Sequence, residues 1–350
     1  MLGPAMRKSS ARLADVARSA GVSLSTASRA LAEPGLVRDD TREKVEKAAA
    51  RLGYMPHGAA RALASRRSRT IGAVLPTVDN PIFASATQAI AEELAASGYT
   101  LLLAAFDYAP ETEVAVTRAL LERGVDGLVL VGADHQRELF QAVEQAGVPC
   151  EFTWTLDSSG YRHCVGFSNR LASAHVTQHL LELGHKKFAV LSGHTAGNDR
   201  ARERLAGVRE ALASRGLKAD GRIVETTFSL GHGRAALREL LDRPEGRDFT
   251  ALVCGNDLLA LGAMLECRER GIRVPEDLSI TGFDDIELAA ELPPGLTTLH
   301  VPSGEVGRRA AARLLERLAG RKVPREDKVP VDLVVRGTTA PPGKGGKRRR

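Results

Sequence analysis

The chain has no run of about 18 apolar residues, which excludes a membrane-crossing helix. Its opening stretch, Met1 to Ser10, lacks the apolar segment of a secretory leader, so the protein is expected in the cytoplasm. Cysteine is scarce: Cys150, Cys164, Cys254 and Cys267 are scattered through 350 residues without CxxC spacing. That argues against a zinc site and a disulfide framework, and the four read as buried thiols. There is no GxSxG nucleophile elbow and no P-loop. No cofactor or metal is expected.

What is present points to more than one folded unit. A single core stops growing near about 250 to 300 residues, and this chain exceeds that with 43% hydrophobic residues. The net charge of +6 becomes informative once divided along the chain. From Met1 to Arg69 there are 14 Lys and Arg against 6 Asp and Glu, a balance of +8. Five more basic residues follow Gly343, so Thr70 to Pro342 carries −7. A basic head on an acidic body is the footprint of a protein that binds nucleic acid with one end.

The first segment is helical in pattern. Leu13, Val16, Ala17 and Ala20 share an apolar face, Gly21 breaks the helix, and a second helix runs from Leu24 to about Ala32. A third is expected from roughly Asp40 to Leu52, with Thr41 near its cap and Gly53 as its stop. From Thr70 the pattern becomes β-then-α, which predicts parallel sheets flanked by helices. Strand-length apolar runs fall at 71–75, 100–105, 127–131, 150–153, 188–191, 223–227, 251–254 and 278–281. Helical stretches between them commonly end in glycine. Two such sets, divided near residue 160, give the expected fold class: an all-α helix-turn-helix head and a two-lobed α/β body resembling periplasmic binding proteins.

The run Ala17 to Arg29 has the mechanics of a helix-turn-helix. Small Ala17 lets two helices cross closely, and Gly21 supplies a turn conformation costly for a residue with Cβ. The second helix would lie in the major groove with its first residues at the base edges. Leu24, Ser25 and Arg29 are the candidate base readers; Ser23, Thr26 and Ser28 are candidate phosphate anchors. The alternative is a small helical bundle with no role on DNA.

Leu13-Ala-Asp-Val-Ala, Gly21-Val-Ser-x-x-Thr-x-Ser-Arg29, Thr41-Arg and Leu52-Gly-Tyr-x-Pro56 resemble, in order and spacing, the head of the LacI family of transcriptional regulators. The resemblance continues through Arg69-Thr-Ile-Gly72 and nearly the whole chain. Where the family usually has valine this chain has Ala27. The resemblance implies a hinge helix near Gly58 to Ser65 that forms on operator DNA and wedges Leu63 into the minor groove, with Ala60 and Ala62 allowing a dimer-related helix to approach. It also implies a homodimer on double-stranded DNA, reading a pseudo-palindromic operator under control of a small-molecule effector, and repression as the outcome. The expected divisions are a DNA-binding domain at 11–57, a hinge at 58–69, an effector-binding domain at 70–340 and a basic tail at 341–350. Within the body the lobes are expected at about 70–161 with 293–325, and about 162–292 with 326–340.

In a two-lobed α/β body ligands sit at the carboxyl ends of strands, in the crevice between lobes. Phe83, Trp154, Phe228, Asn256 and Asp284 each follow a strand closely, and they combine flat faces with polar groups as a hydroxylated ligand demands. The family resemblance assigns effector contacts to Arg204, Asn256 and Asp284, and Arg200 or Arg202 offers a cation for a carboxylate. Val165-Gly-Phe-Ser168-Asn169 departs from the family's Val-Gly-x-Asp-Asn. The stretch Phe106 to Glu111 and the position of Trp154 resemble gluconate-repressor-like members, which points to a sugar acid, while a sugar, a sugar acid or a nucleobase would each suit such a crevice. Two other readings compete. Gly231-His-Gly233-Arg-Ala-Ala236 with Asp257 downstream imitates the dinucleotide fingerprint of an NAD-dependent oxidoreductase, but lies deep in the second lobe rather than in a first βα turn. A transport-type solute-binding protein would explain the body and not the head. His175 and His179 share a helix face but lack the glutamate of a HExxH zinc motif. The expectation is a regulator that is not an enzyme and has no membrane partner.

Overall fold

A computed structural model describes residues 11–32, 34–55, 67–156, 160–219, 221–244 and 248–343. The expected hinge helix with Leu63 and the basic residues from Lys344 onward lie outside the described residues. The chain divides into two compact units between Arg69 and Thr70.

The first unit holds α1 (Leu13–Ala20), α2 (Leu24–Ala32), a 3-10 turn (Pro34–Leu36) and α3 (Asp39–Leu52). Its core is built of small side chains: Val16, Ala17, Ala27, Ala30, Val45, Ala48 and Ala49. Ala27 is fully buried, so its methyl is what the tight crossing accommodates. Gly21 adopts φ +69° and closes α1, and the Val22 N–H donates to the Ala17 carbonyl (3.0 Å). Helix α3 begins at Asp39, which puts Thr41 inside the first turn rather than at the cap. Asp39 and Asp40 lie where the helix dipole favours negative charge.

The second unit contains two parallel sheets. The first runs through β1 (Thr70–Leu75), β2 (Thr100–Ala105), β3 (Gly127–Val131), β4 (Cys150–Thr153), β5 (Cys164–Gly166) and β11 (Glu326–Lys328), in the order β11-β5-β4-β3-β1-β2. Around it lie α4 (Pro81–Ala96), α5 (Pro110–Glu122), α6 (Arg137–Ala146) and α12 (Ser303–Leu318). The buried Glu151 on β4 pins α12 by accepting from Arg313 (3.1 Å) and Arg317 (2.8 Å). The second sheet, β7-β6-β8-β9, comprises β6 (Phe188–Gly193), β7 (Ile223–Thr226), β8 (Ala251–Cys254) and β9 (Ser279–Thr281). With it pack α7 (Asn169–Glu182), α8 (Asp199–Ala213), α9 (Leu230–Asp242), α10 (Asp257–Glu269) and the short α11 (Glu287–Glu291). A two-stranded antiparallel pair, β10 (Thr298–His300) and β12 (Asp332–Val334), completes the element list.

This topology corrects the expected lobe boundaries. Residues 164–166 and 326–328 belong to the first sheet, while Thr297 and Leu299 accept from Gly282 and Asp284 along the edge of the second. The chain therefore crosses between lobes just after Gly166, just after His300 and between Lys328 and Asp332. Three-residue strands carry too little periodicity to announce which sheet they join.

Of the two glycines of the dinucleotide-like fingerprint, Gly233 serves packing and Gly231 does not. They lie in the first turns of α9, and a Cβ at Gly233 would fall 2.5 Å from the Leu259 carbonyl oxygen on α10, with Gly262 answering from the other side at 2.3 Å from the Leu230 carbonyl. Asp257 is fully buried and accepts from the Ile286 N–H (2.8 Å) and the Thr298 hydroxyl (2.5 Å), which fixes the loop after β9. His179 meets the Thr339 hydroxyl (3.0 Å). All four cysteines are buried and unbridged. Among the described residues no helix is long and apolar enough to cross a membrane.

The two fingerprint glycines differ in a testable way. Gly233→Ala is expected to lower stability by about 1–3 kcal/mol through overpacking, whereas Gly231→Ala, which meets nothing closer than the Ser229 hydroxyl at 4.0 Å, should be neutral or stabilising by up to about 1 kcal/mol. Thermal denaturation of the pair decides this; equal losses would contradict the packing account.

Candidate functional site

Helix starts and strand ends of the body meet in the space between its lobes, and their side chains build a narrow, nearly filled cleft of about 20 Å3, partly open to solvent. All seven residues named from the sequence line it: Phe83, Trp154, Arg200, Arg204, Phe228, Asn256 and Asp284. Tyr108, Asn80, Asn198, Ile82 and Ala201 join them. Sequence reasoning placed Asn80 and Ile82 in the stretch Asp79 to Phe83 after the first strand and Asn198 in the run ending at Arg202, but took only Phe83 and Arg200 from these as contacts; in the structure both asparagines are also helix caps. Tyr108 lay within a stretch singled out only for its resemblance.

The walls are aromatic. Phe83 at the start of α4 meets Trp154 edge-on at 5.2 Å between centroids, and Tyr108 approaches Phe228 across the cleft at 6.3 Å. Phe228 lies so close over Gly193 that a Cβ there would fall 2.1 Å from its ring. Tyr108 (φ +57°), Trp154 (φ +58°) and Asp284 (φ +117°) all hold left-handed backbone, a cost of order 1–3 kcal/mol each that tight packing sustains.

Arg204 organises the floor. Its Nε donates to Asn169 Oδ1 (2.9 Å), Nη1 donates to the Gly255 carbonyl (2.7 Å), and its plane rests 3.7 Å above the Phe283 ring. Nη2 stands 3.7 Å from Asp284 Oδ1. Burial pushes the Asp284 carboxyl up to about 7 despite the neighbouring guanidinium. Asn169 donates in turn to the Trp154 carbonyl (2.8 Å). Ser168, where the family pattern has aspartate, caps α7 by accepting from the Leu171 N–H (3.2 Å) and does not line the cleft.

Arg200 reaches from α8 across to the other lobe, where its Nη1 donates to the Val131 carbonyl (3.0 Å), and the same nitrogen donates to its neighbour Asp199 Oδ1 on α8 (3.0 Å). Gly132 makes this possible, since a Cβ there would fall 1.7 Å from that nitrogen. Asp199 Oδ2 accepts from the Ala133 N–H (3.0 Å), and Arg202 pairs with Asp134 (2.7 Å) rather than entering the cleft. Three buried polar atoms on residues that line this space have no hydrogen-bond partner: Trp154 Nε1, Asn256 Nδ2 and Asp284 Oδ1. Orphaned polar groups of this kind cost about 1–3 kcal/mol each and mark a place built for something else to bind.

In the head, Ser23 caps α2: its hydroxyl accepts from the Thr26 N–H (3.1 Å) and lies 2.9 Å from the Ser25 hydroxyl. Leu24 is 54% exposed, and Ser25 and Arg29 are also exposed, while Thr26 and Ser28 are half-buried and Ala27 and Ala30 face the core. The start of α2 thus presents one apolar, one hydroxyl and one cationic side chain outward.

Comparison with known proteins follows the same two-part division. Residues 12–57 match the family model of bacterial regulatory proteins of the lacI family, and residues 177–339 match that of a periplasmic binding protein-like domain. The chain is 36% identical over 313 residues to the HTH-type transcriptional repressor PurR of Vibrio atlanticus, covering 88% of this chain and 92% of that one. Its structure resembles the lac repressor dimer bound to operator and the anti-inducer ONPF, with a TM-score of 0.84 at 30% identity over 94% of this chain and 99% of that one. It also resembles the transcriptional regulator CelR in complex with cellobiose, with a TM-score of 0.69 at 30% identity and the same coverages.

The raised Asp284 carboxyl has a stability consequence. Its ordinary value is near 3.8 and its folded value about 7, so the native state binds the proton more tightly than the unfolded state does. The stability this contributes is full below about pH 4 and is lost as pH rises to 7, by up to about 4 kcal/mol. Asp284→Asn should abolish that slope, and parallel pH–stability curves from denaturant titrations of the two proteins would contradict it.

Proposed function

The chain belongs to the LacI family of bacterial regulatory proteins, and from that premise we propose that it is a DNA-binding transcriptional repressor whose affinity for its operator is set by a small polar effector, a sugar or sugar acid, held in the cleft of the body. The observation that carries this reading is the pairing of an outward-facing α2 start in a basic head with three orphaned polar atoms in a cleft of the second unit. One surface suits a groove of DNA; the other suits a hydroxylated ligand.

On DNA, α2 enters the major groove. Leu24 meets a thymine methyl, Ser25 and Arg29 reach base edges, and Ser23, Thr26 and Ser28 lie along the phosphates. Two such heads in a homodimer read a pseudo-palindromic operator with half-sites about one helical turn apart. Leu63, in the hinge, supplies a minor-groove wedge. In the body, Arg204, Asn256 and Asp284 take ligand hydroxyls while Phe83, Trp154 and Phe228 face its C–H surfaces, with Arg200 beside them. Effector binding alters the angle between lobes and so biases the DNA-competent state, by a coupling free energy of about 1–3 kcal/mol. A partner of this kind places the protein in the cytoplasm.

The test is fluorescence anisotropy with duplexes from the regulatory regions flanking the protein's own coding sequence. Affinity should fall steeply with salt, and Arg29→Ala should weaken specific binding by about 1–3 kcal/mol, roughly 5- to 150-fold, with relaxed sequence preference. Absence of salt-sensitive affinity for every duplex, with and without a sugar panel, would refute the reading.

A further inference from the structure

The strands of both sheets turn their carboxyl ends to the same space. Phe83 and Trp154 follow β1 and β4, while Arg200, Phe228, Asn256 and Asp284 follow the four strands of the second sheet, and all six line one cleft. Strands within each sheet run parallel. The amino ends of the two sheets therefore face away from the cleft on opposite sides and form two poles of the second unit. The covalent link to the first unit, Arg69–Thr70, leaves from the start of β1 at one pole. The last described residues lie at the other. The Ala340 N–H donates to the hydroxyl of Ser279, the first residue of β9 (3.1 Å), and the Ala340 carbonyl accepts from that hydroxyl (3.0 Å) and from His185 Nε2 (2.9 Å), just before β6. Gly343 lies beside the Glu276 carbonyl, also on the approach to β9.

This second pole is basic although the body is acidic. The segments that enter β6, β7, β8 and β9, residues 184–187, 214–222, 243–250 and 270–278, hold nine Lys and Arg against five Asp and Glu, whereas Thr70 to Pro342 as a whole carries −7. Lys186, Arg215 and Lys218 are exposed and, among the described residues, without an ion-pair partner. Part of the excess answers the negative ends of α7, α8, α9 and α10, which finish at this pole. Residues 344–350 add five cations, Lys344, Lys347, Arg348, Arg349 and Arg350, with no acid and no apolar side chain among them. A segment of that composition has nothing to bury, and a basic pole repels it, whereas a polyanion attracts both.

We propose that this pole is a second, sequence-independent nucleic-acid contact, in which residues 344–350 with Lys186, Arg215 and Lys218 grip the phosphates of a duplex segment other than the operator. One bound protein would then join two stretches of DNA. Duplex DNA is the polyanion favoured because the first unit supplies it: a regulator held on its operator has flanking duplex at high effective concentration. Phosphates ask only for cations, without a fixed geometry. No aromatic side chain interleaves the basic run, so the contact reads charge and not base identity. The pole lies opposite the Arg69–Thr70 link, which makes the contact a grip on a second duplex rather than an extension of the operator footprint.

The experiment immobilises an operator duplex found by the anisotropy test, saturates it with the full-length protein, and measures capture of a short labelled duplex of unrelated sequence. Capture is expected at low salt and should weaken about 100- to 1,000-fold between about 50 and 200 mM salt, as some five phosphate contacts require. Combining Lys344→Ser, Lys347→Ser, Arg348→Ser, Arg349→Ser and Arg350→Ser should weaken capture at least about 10-fold while leaving operator binding intact. Lys186→Gln with Lys218→Gln should weaken it by a smaller factor; should the serine variant fail to fold, this pair and the salt series decide. Equal capture by the unaltered protein and the serine variant, or no capture at low salt, overturns the proposal. Operator binding is read on the same molecules, so either result leaves recognition by the head standing. Flotation with phosphatidylglycerol vesicles in place of duplex capture would overturn it in favour of a membrane surface.

Discussion

A buried guanidinium has to be matched by its surroundings or it costs several kcal/mol, and the cleft of this protein is arranged around meeting that demand for Arg204. One nitrogen goes to Asn169, one to the Gly255 carbonyl, the flat face goes to Phe283, and the remaining edge looks toward Asp284. Each partner carries a second duty. Asn169 holds the Trp154 carbonyl, Gly255 precedes the cap residue of α10, and Phe283 and Asp284 open the strained turn after β9. Removal of this one cation would release an aromatic wall, a helix start and an acid together.

Between the lobes the matching is done with the smallest side chain available. Gly132 lets Arg200 cross to the Val131 carbonyl, and Asp199 and Arg202 fasten the same loop at Ala133 and Asp134. That loop is itself held from behind, since His135 bridges Glu113 (2.9 Å) and the Gly132 carbonyl (3.1 Å). Closure is thus a set of polar contacts between two rigid surfaces, which a ligand with better contacts can replace without disturbing either core.

Much of this was legible in the residues. Strand-length apolar runs ending at polar or aromatic residues placed Phe83, Trp154, Phe228, Asn256 and Asp284 at the carboxyl ends of strands, where a doubly wound body keeps its ligands. Arg200 was legible as a cation near a helix start, and Arg204 only through the family resemblance. Asn80 and Asn198 lay in the runs singled out after β1 and before Arg204, but nothing in the pattern says which side chains of such a run turn toward the cleft. The lobe boundaries were misplaced because β5, β10 and β11 are three residues each, and their sheet membership is decided by partners far along the chain. The fingerprint had the spacing for a phosphate, while Gly233 has the surroundings of a helix crossing and Gly231 has open space, a difference that only packing reveals.

The covalent chain passes between the lobes three times, after Gly166, after His300 and before Asp332. Three nearly adjacent tethers leave two bodies few ways to move: independent twist, slide and separation would each strain at least one strand. What survives is a single swing about the line of the tethers, so whatever occupies the cleft is translated into one angle. A sensor with one mechanical coordinate reports presence or absence of its cargo cleanly, and carries little information about which of several similar cargoes has arrived.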